Sequence, residues 1–352
     1  MSQSPVYDPF TRGPWPVGVR TIHALDAARD RQFRCEIWYP AAARHLGEDL
    51  SPATQDQFAA PPLNAPRRQA AVRDAVAGPG TYPLIIYSHA SLQHRRSATF
   101  LCTHLSSHGY VVAGLDHTEV VAKLFRKEGE TEPQKQARWH QIMSSRVPDV
   151  RFLLDHLLET TGSAETKLDP SRIGIVGHSL GGWTALAAAD ADRRIRTVVA
   201  LAPGGSSNPK PGILPVTLSF RSDWNIPTLF LVAENDTSLP LDGMYEIFKR
   251  TPSAKQMLIL RRADHLHFVD EVEELHEAVR KMPASGDLAA LQKEMRPMAE
   301  LCSGEQAHLF VRGLTLSHMD ASLRQNDEAW RVAGGGWRMA GKGFDVIEHR
   351  PR

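Results

Sequence analysis

The chain has 352 residues, with 41 Lys plus Arg against 40 Asp plus Glu. That length suits one α/β core with loop elaborations. The near-zero charge balance gives no electrostatic reason to expect nucleic acid or an anionic membrane surface as a partner, so a small uncharged substrate fits better.

Residues 1–10 are polar and carry Pro5 and Pro9, without the basic start and apolar run of a secretory signal. No stretch approaches the roughly 20 apolar residues of a membrane span. Cys35, Cys102 and Cys302 are far apart and lack CxxC spacing, which suits a reducing compartment; the cytoplasm is the expected location. Alternating or β-branched apolar residues at 21–26 and 33–39, around the charged turn Ala27-Ala28-Arg29-Asp30-Arg31, predict a hairpin that Pro40 ends. From 41 to 83 the composition shifts to Ala, Pro, Gln and charge, and Pro52, Pro61, Pro62, Pro66 and Pro79 block long regular elements. This reads as an exposed insertion with one short helix near 67–77.

Short apolar runs follow at 84–87, 110–115, 173–176, 197–201, 228–232 and 257–260, separated by longer mixed segments. That alternation predicts an α/β fold with a mostly parallel sheet and helices on both faces. A helix is expected at 98–107, with Cys102 as a small buried hydrophobe. Val147, Val150, Leu153, Leu154, Leu157 and Leu158 recur at helical spacing within 144–160, as an amphipathic crossover helix would have them. After Leu260 the strand signals stop, and helices are expected at 272–281 and 307–324. Gly334-Gly335-Gly336 and the polar end read as a loose tail. The organisation is therefore one domain over 14–330, with insertions at about 41–83, 125–141 and 271–300, and a tail over 331–352.

The chemistry centres on Gly177-His178-Ser179-Leu180-Gly181. A serine hydroxyl becomes a nucleophile when a base takes its proton and when it projects freely. A tight strand-to-helix turn achieves that projection, and small residues two positions to either side permit the strain. The apolar run Ile173-Gly174-Ile175-Val176 precedes the turn and Trp183-Thr184-Ala185-Leu186-Ala187-Ala188-Ala189 follows it, which is the required strand, elbow and helix. In such a fold the acid and the histidine follow in that order, on loops after later strands. Asp236, in Ala233-Glu234-Asn235-Asp236-Thr237, is the leading acid, with Glu234 as the alternative; the strand at 197–201 ends in Pro203-Gly204-Gly205 without a carboxylate. The run Ala263-Asp264-His265-Leu266-His267-Phe268 supplies two histidines. His265 is favoured as base for its shorter reach, and His267 remains open as base, cleft-lining or solvated residue. His265 and His267 with Asp264 as metal ligands would lack the third ligand and supporting shell of a zinc site. No cofactor or metal is implied.

The oxyanion of an acyl-transfer intermediate needs two amide donors. Leu180 is expected to supply one and Ser91, in Ser88-His89-Ala90-Ser91, the other, a plain surface turn being the alternative for that segment. Trp183, Trp224 and Phe268 are candidates for lining an acyl or alcohol pocket, with core packing as the competing role. His89 and His178 adjoin the active loops and are candidates for substrate contact or structural support.

Several runs together resemble a known group: Val17-Gly18-Val19-Arg20, Glu36-Ile37-Trp38-Tyr39-Pro40, Leu84-Ile85-Ile86-Tyr87-Ser88-His89, Ser107-His108-Gly109-Tyr110, the elbow, and the acid and histidine loops. Over about residues 14 to 270 the chain is similar to the α/β hydrolases that include dienelactone-hydrolase-like proteins, platelet-activating-factor acetylhydrolases and cutinase-like polyester hydrolases. The resemblance implies the α/β-hydrolase fold, Ser179, Asp236 and His265 as triad, and carboxylic-ester hydrolysis. Three departures stand out. Ala90 replaces the usual glycine of the oxyanion loop, and no glycine follows through Arg96. The nucleophile is serine where dienelactone hydrolases proper use cysteine. The acid placement resembles the cutinase and bacterial esterase branch more than the acetylhydrolases. The expected function is a serine carboxylesterase acting on a small ester through an acyl-enzyme. An amidase or thioesterase with the same triad, or a catalytically silent binding protein on this fold, are the alternatives.

Overall fold

The computed structural model describes residues 7–333, apart from 62, 125–128, 161–165, 212, 214–215, 217 and 222, together with Val346–His349. The hairpin consists of β1 (Val17–Asp26) and β2 (Arg31–Pro40), paired antiparallel from Val17–Pro40 to Asp26–Arg31. Next come β3 (Gln55–Ala59), β4 (Pro66–Arg73), β5 (Gly80–Ser88), α1 (Thr99–Ser107), β6 (Val111–Leu115), α2 (Thr118–Val121) and α3 (Glu132–Thr160). Then follow β7 (Thr166–His178), α4 (Leu180–Ala191), β8 (Ile195–Leu201), β9 (Thr228–Ala233), α5 (Leu241–Arg250) and β10 (Lys255–Leu260). The last elements are α6 (Val272–Lys281), α7 (Gly286–Glu294), α8 (Gly304–Leu323), α9 (Asp327–Ala333) and β11 (Val346–His349).

One sheet runs β11-β10-β9-β8-β7-β5-β6-β2-β1-β4-β3, and its centre, from β10 to β6, is parallel throughout. The apolar strands are buried on both faces: Leu84 and Ile86 of β5 enter one core with α3, α4 and α5, while Ile85 and Tyr87 enter a second with α1 and α8. This two-sided covering is what short, continuous apolar runs require. All the loops that carry the candidate residues leave the carboxyl ends of these central strands, where ligands of open α/β sheets bind. Among the described residues no helix is long and apolar enough to cross a membrane.

Three expectations are corrected. The helix expected near 67–77 is the strand β4, which joins β1 in parallel and β3 antiparallel. Its buried positions, Gln69 and Ala71, alternate, and Gln69 is satisfied by accepting from Trp38 Nε1 at 2.6 Å and donating to Asp56 at 2.6 Å. A charged alternating strand hides its period behind its own polarity. The crossover helix expected at 144–160 is longer than its apolar stripe: α3 starts at Glu132 and runs through Pro148. Strands do not end at Leu260, because Val346–His349, within the expected tail, pairs antiparallel with Met257 to Leu260. The glycine run at 334–336 lies outside the described residues.

Candidate active site

β7 ends at His178 and α4 begins at Leu180, so the chain must turn within one residue, and Ser179 takes φ 58° and ψ −117°. Such a backbone is strained for a residue with a Cβ and survives only where the surroundings hold it. Here they do. The Ser179 N–H donates to the carbonyl of Leu201 at 2.9 Å, and its carbonyl accepts from Trp183 and Gly204. The flanking glycines are obligatory: a Cβ on Gly177 would lie 2.0 Å from the Gly181 oxygen, and one on Gly181 would lie 2.0 Å from the Ser88 oxygen and 2.7 Å from that of His89. The second contact also shows that the turn and the loop after β5 touch. Leu180, as the first helical residue, carries an N–H with no intrahelical acceptor.

The acid and histidine meet beside this turn. Asp236 is buried; its Oδ1 accepts from the Ser238 and Leu239 amides at 2.9 and 2.8 Å, and its Oδ2 contacts His265 Nδ1 at 2.6 Å. With one oxygen locked by backbone, the other is aimed at the imidazole. Burial pulls the His265 pKa down, but the Asp236 carboxylate outweighs it, and the net direction is upward. Nδ1 being committed, Nε2 is the ring nitrogen left for proton transfer. The His265 ring packs on His178 with centroids 4.7 Å apart, which sets it next to the residue preceding Ser179. Glu234, the alternative acid, turns elsewhere: it accepts from the Arg262 amide at 2.8 Å and pairs with Arg261 at 3.1 Å.

The histidine loop is anchored by Asp264. Its Oδ1 accepts from the Leu266 amide and contacts His267 Nδ1 at 2.8 Å, while Oδ2 meets His276 Nδ1 of α6 at 2.5 Å. His267 Nε2 donates to the Cys302 carbonyl at 2.9 Å. Burial opposes the charge on His267, but its bonds to Asp264 and Cys302 prevail and raise its pKa to about 10. His267 is therefore a buried strut, its Nδ1 facing both the Asp264 carboxylate and the Asp264 amide at 2.9 Å and its Nε2 the Cys302 carbonyl, which corrects its candidacy as cleft-lining residue, base or metal ligand: both of its nitrogens are engaged.

The other pocket candidates separate. His89 is fully buried, with Nδ1 on the Ala90 oxygen at 2.7 Å and Nε2 accepting from the His117 amide at 3.1 Å, so it supports the loop instead of meeting substrate. Burial, reinforced by the charge of Arg146, holds its pKa well below the ordinary value, and the ring is neutral. His178 is buried between the rings of His265 and Phe268. Phe268 is fully buried in the α1–α8 core. Trp183, in the first turn of α4, is buried, and a Cβ on Gly205 would meet both it and Leu218. Trp224 is buried edge-on against Phe220.

Arg146, Glu119 and Asp149 carry no motif in the sequence, and they surround His117, which follows β6 and reads in the sequence as a cleft-wall candidate. Below Ser88–Ser91, Arg146 of α3 is fully buried, donates to the His89 oxygen at 2.6 Å and the Ala90 oxygen at 3.4 Å, and pairs with Glu119 of α2. Asp149, one turn on, accepts from Thr118 N at 2.8 Å and contacts Arg29 at 2.6 Å and His117 at 3.2 Å; His117 in turn meets the Ser88 hydroxyl at 2.8 Å. The signal was present: Arg146 and Asp149 share the apolar stripe of Val150, Leu153 and Leu157, where charge is costly unless paired.

A sharply turned serine at the end of a central parallel strand, in a sheet covered by helices on both faces, places the chain among the α/β-hydrolases. More narrowly, the PET hydrolase-like family matches residues 75–282, and the chain belongs to that family. It is 25% identical over 224 residues to a platelet-activating factor acetylhydrolase of Cavia porcellus, covering 54% of this chain and 48% of the relative. Cutinase est1 of Thermobifida alba is 25% identical over 194 residues, covering 54% of this chain and 55% of the cutinase. A bis(hydroxyethyl) terephthalate hydrolase of Streptomyces coelicolor is 24% identical over 190 residues, covering 54% and 51% respectively. The chain thus spans about half the length of these curated relatives. A ferulic acid esterase structure from Streptomyces cinnamoneus is similar over 91% of this chain and 93% of its own, with TM-score 0.61 and 26% identity.

Proposed function

We propose that the chain is a serine carboxylic-ester hydrolase that works through an acyl-enzyme. Ser179 Oγ attacks the ester carbonyl carbon while His265 Nε2 takes its proton. The Leu180 and Ser91 amides hold the resulting oxyanion. The C–O bond to the alcohol then breaks, His265 returns the proton to the leaving oxygen, and water, deprotonated by His265 in turn, releases the acid and regenerates Ser179. Asp236 orients the imidazole and stabilises its cation. The observation that carries this reading is the 2.6 Å Asp236–His265 contact beside a serine held at φ 58°. The names of the relatives, cutinase, terephthalate ester hydrolase and ferulic acid esterase, support an ester of a carboxylic acid as substrate. The unpaired, buried Cys35, Cys102 and Cys302 support a reducing, cytoplasmic setting.

Ser179→Ala should stay folded and lose turnover of short p-nitrophenyl esters by about 10,000-fold or more; retained turnover would reject the nucleophile. A fluorophosphonate probe should label Ser179, and no labelling would favour a silent binding protein. Parallel rates on matched ester, amide and thioester substrates should rank the ester first, and a different winner reassigns the class.

A further inference from the structure

The loop that must supply the second oxyanion donor has no glycine between Ser88 and Arg96, and Leu92 there takes φ 63°. A loop of this kind needs something other than backbone freedom to hold its amides in one direction. The Ala90 carbonyl is fixed by three donors: His89 Nδ1 at 2.7 Å, the Gln93 amide at 3.3 Å and Arg146 Nη2 at 3.4 Å. The His89 carbonyl is fixed by Arg146 Nη1 at 2.6 Å. In a trans peptide the C=O and the following N–H point to opposite sides of one plane. Two carbonyls held by one guanidinium therefore fix the amides of Ala90 and Ser91 on the opposite side of their peptide planes, and the loop adjoins the nucleophile turn, where Gly181 packs against Ser88 and His89.

The guanidinium is costly to keep there. Arg146 Nε and Glu119 Oε2 are buried without a hydrogen-bond partner among the described residues. A buried ion pair is weak evidence of a stability role, because well-packed apolar residues of similar volume often do as well or better. What apolar residues lack is a planar fork with several donors that can bridge successive carbonyls.

We propose that Arg146, braced by Glu119, is a positioning residue for hydrolysis: it aims the Ser91 N–H at the oxyanion by clamping the carbonyls of His89 and Ala90. The assignment rests on the ester-hydrolase reading above. Arg146 does not touch substrate. Its contribution is realised when the carbonyl carbon becomes tetrahedral, so it belongs to the chemical step and not to ground-state binding.

The experiment uses the full chain, with Arg146→Lys, which keeps a cation but not the fork, and the double variant Arg146→Met, Glu119→Gln, which removes both charges and leaves none buried alone. Folding is checked by circular dichroism, and whichever variant is folded gives the reading. On a short p-nitrophenyl ester kcat should fall about 100-fold, the usual cost of an ångström-scale misplacement, with KM within about 2-fold. The inhibition constant of an alkyl boronic acid, which forms a tetrahedral adduct on the serine, should rise by the same factor as kcat falls. Unchanged kcat in a folded variant, or a fall in kcat with an unchanged boronate constant, overturns the proposal. Wild-type protein that neither turns over the ester nor takes the fluorophosphonate would instead reject the ester-hydrolase reading itself.

Discussion

The two sides of Ser179 are held by different means. On the histidine side the carboxylates are set first by near neighbours, Asp236 by amides two and three residues ahead and Asp264 by the Leu266 amide and His267, with His276 and Cys302 bracing them from farther along the chain. On the side of the proposed oxyanion donor they are distant: the carbonyls of His89 and Ala90 are bonded by Arg146, more than fifty residues later, and Arg146 pairs with Glu119 of another helix. Local turns in which a carboxylate accepts backbone amides form from the chain's own geometry. A buried guanidinium binds its carbonyls only after the sheet and α3 have packed. The histidine side should therefore fail through charge, and the oxyanion side through packing.

The largest test of that contrast is Asp236→Asn, which keeps shape but removes the charge that, in the proposed mechanism, orients and stabilises the imidazolium. Its kcat should fall about 10,000-fold, well beyond the loss expected at Arg146, and equal losses at both would erase the distinction. The same variant sharpens the histidine side through pH. Because Asp236 outweighs burial and raises the His265 pKa, the neutral base is lost as pH falls through a value above the ordinary 6.5. In Asp236→Asn the acid limb of the residual kcat/KM should move to lower pH, and an unmoved limb would mean that His265 is not the titrating base.

Asp264→Asn leaves His267 and His276 without their shared anion. The expected loss is about 3 kcal/mol of stability in urea unfolding, the usual result of breaking a buried pair, with a smaller effect on kcat than Asp236→Asn. An equal or larger effect on kcat would place Asp264 in the chemistry. The effect on kcat is smallest for the last test, the alkaline dependence of the same strut, which is read in stability alone. The folded His267 pKa, at about 10, stands above its ordinary 6.5, so its contribution is complete below 6.5 and fades as pH rises toward 10. The urea midpoint should decline over that range in the wild type and decline less in His267→Gln; parallel slopes would show that His267 carries no charge in the folded protein.

Local signals in the chain determined a good deal. The apolar runs at 84–87, 173–176, 228–232 and 257–260 each lie within a central strand, since a strand buried on both faces needs little more than continuous apolar character. Gly177 and Gly181 announced the sharp turn because a Cβ there would strike backbone. Strand order and loop position brought Asp236 and His265 to adjacent loops, and the structure sets them 2.6 Å apart.

Only the tertiary structure decided the rest. β4 alternates charged and small residues, so its pairing with β1 and the burial of Gln69 depend on Trp38 and Asp56 from other strands. Of two histidines two residues apart, one faces Asp236 and the other Asp264 and Cys302, a choice made by the turn at 265–268 and by α6 behind it. The support beneath Ser91 is decided last of all. Ala90 in place of glycine looks like a lost feature when read along the chain; in three dimensions it coincides with two carbonyls held by Arg146. The physical reason is common to all three cases. A polar side chain inside a protein is assigned by whichever partner can satisfy it after folding, and that partner is rarely a neighbour in sequence.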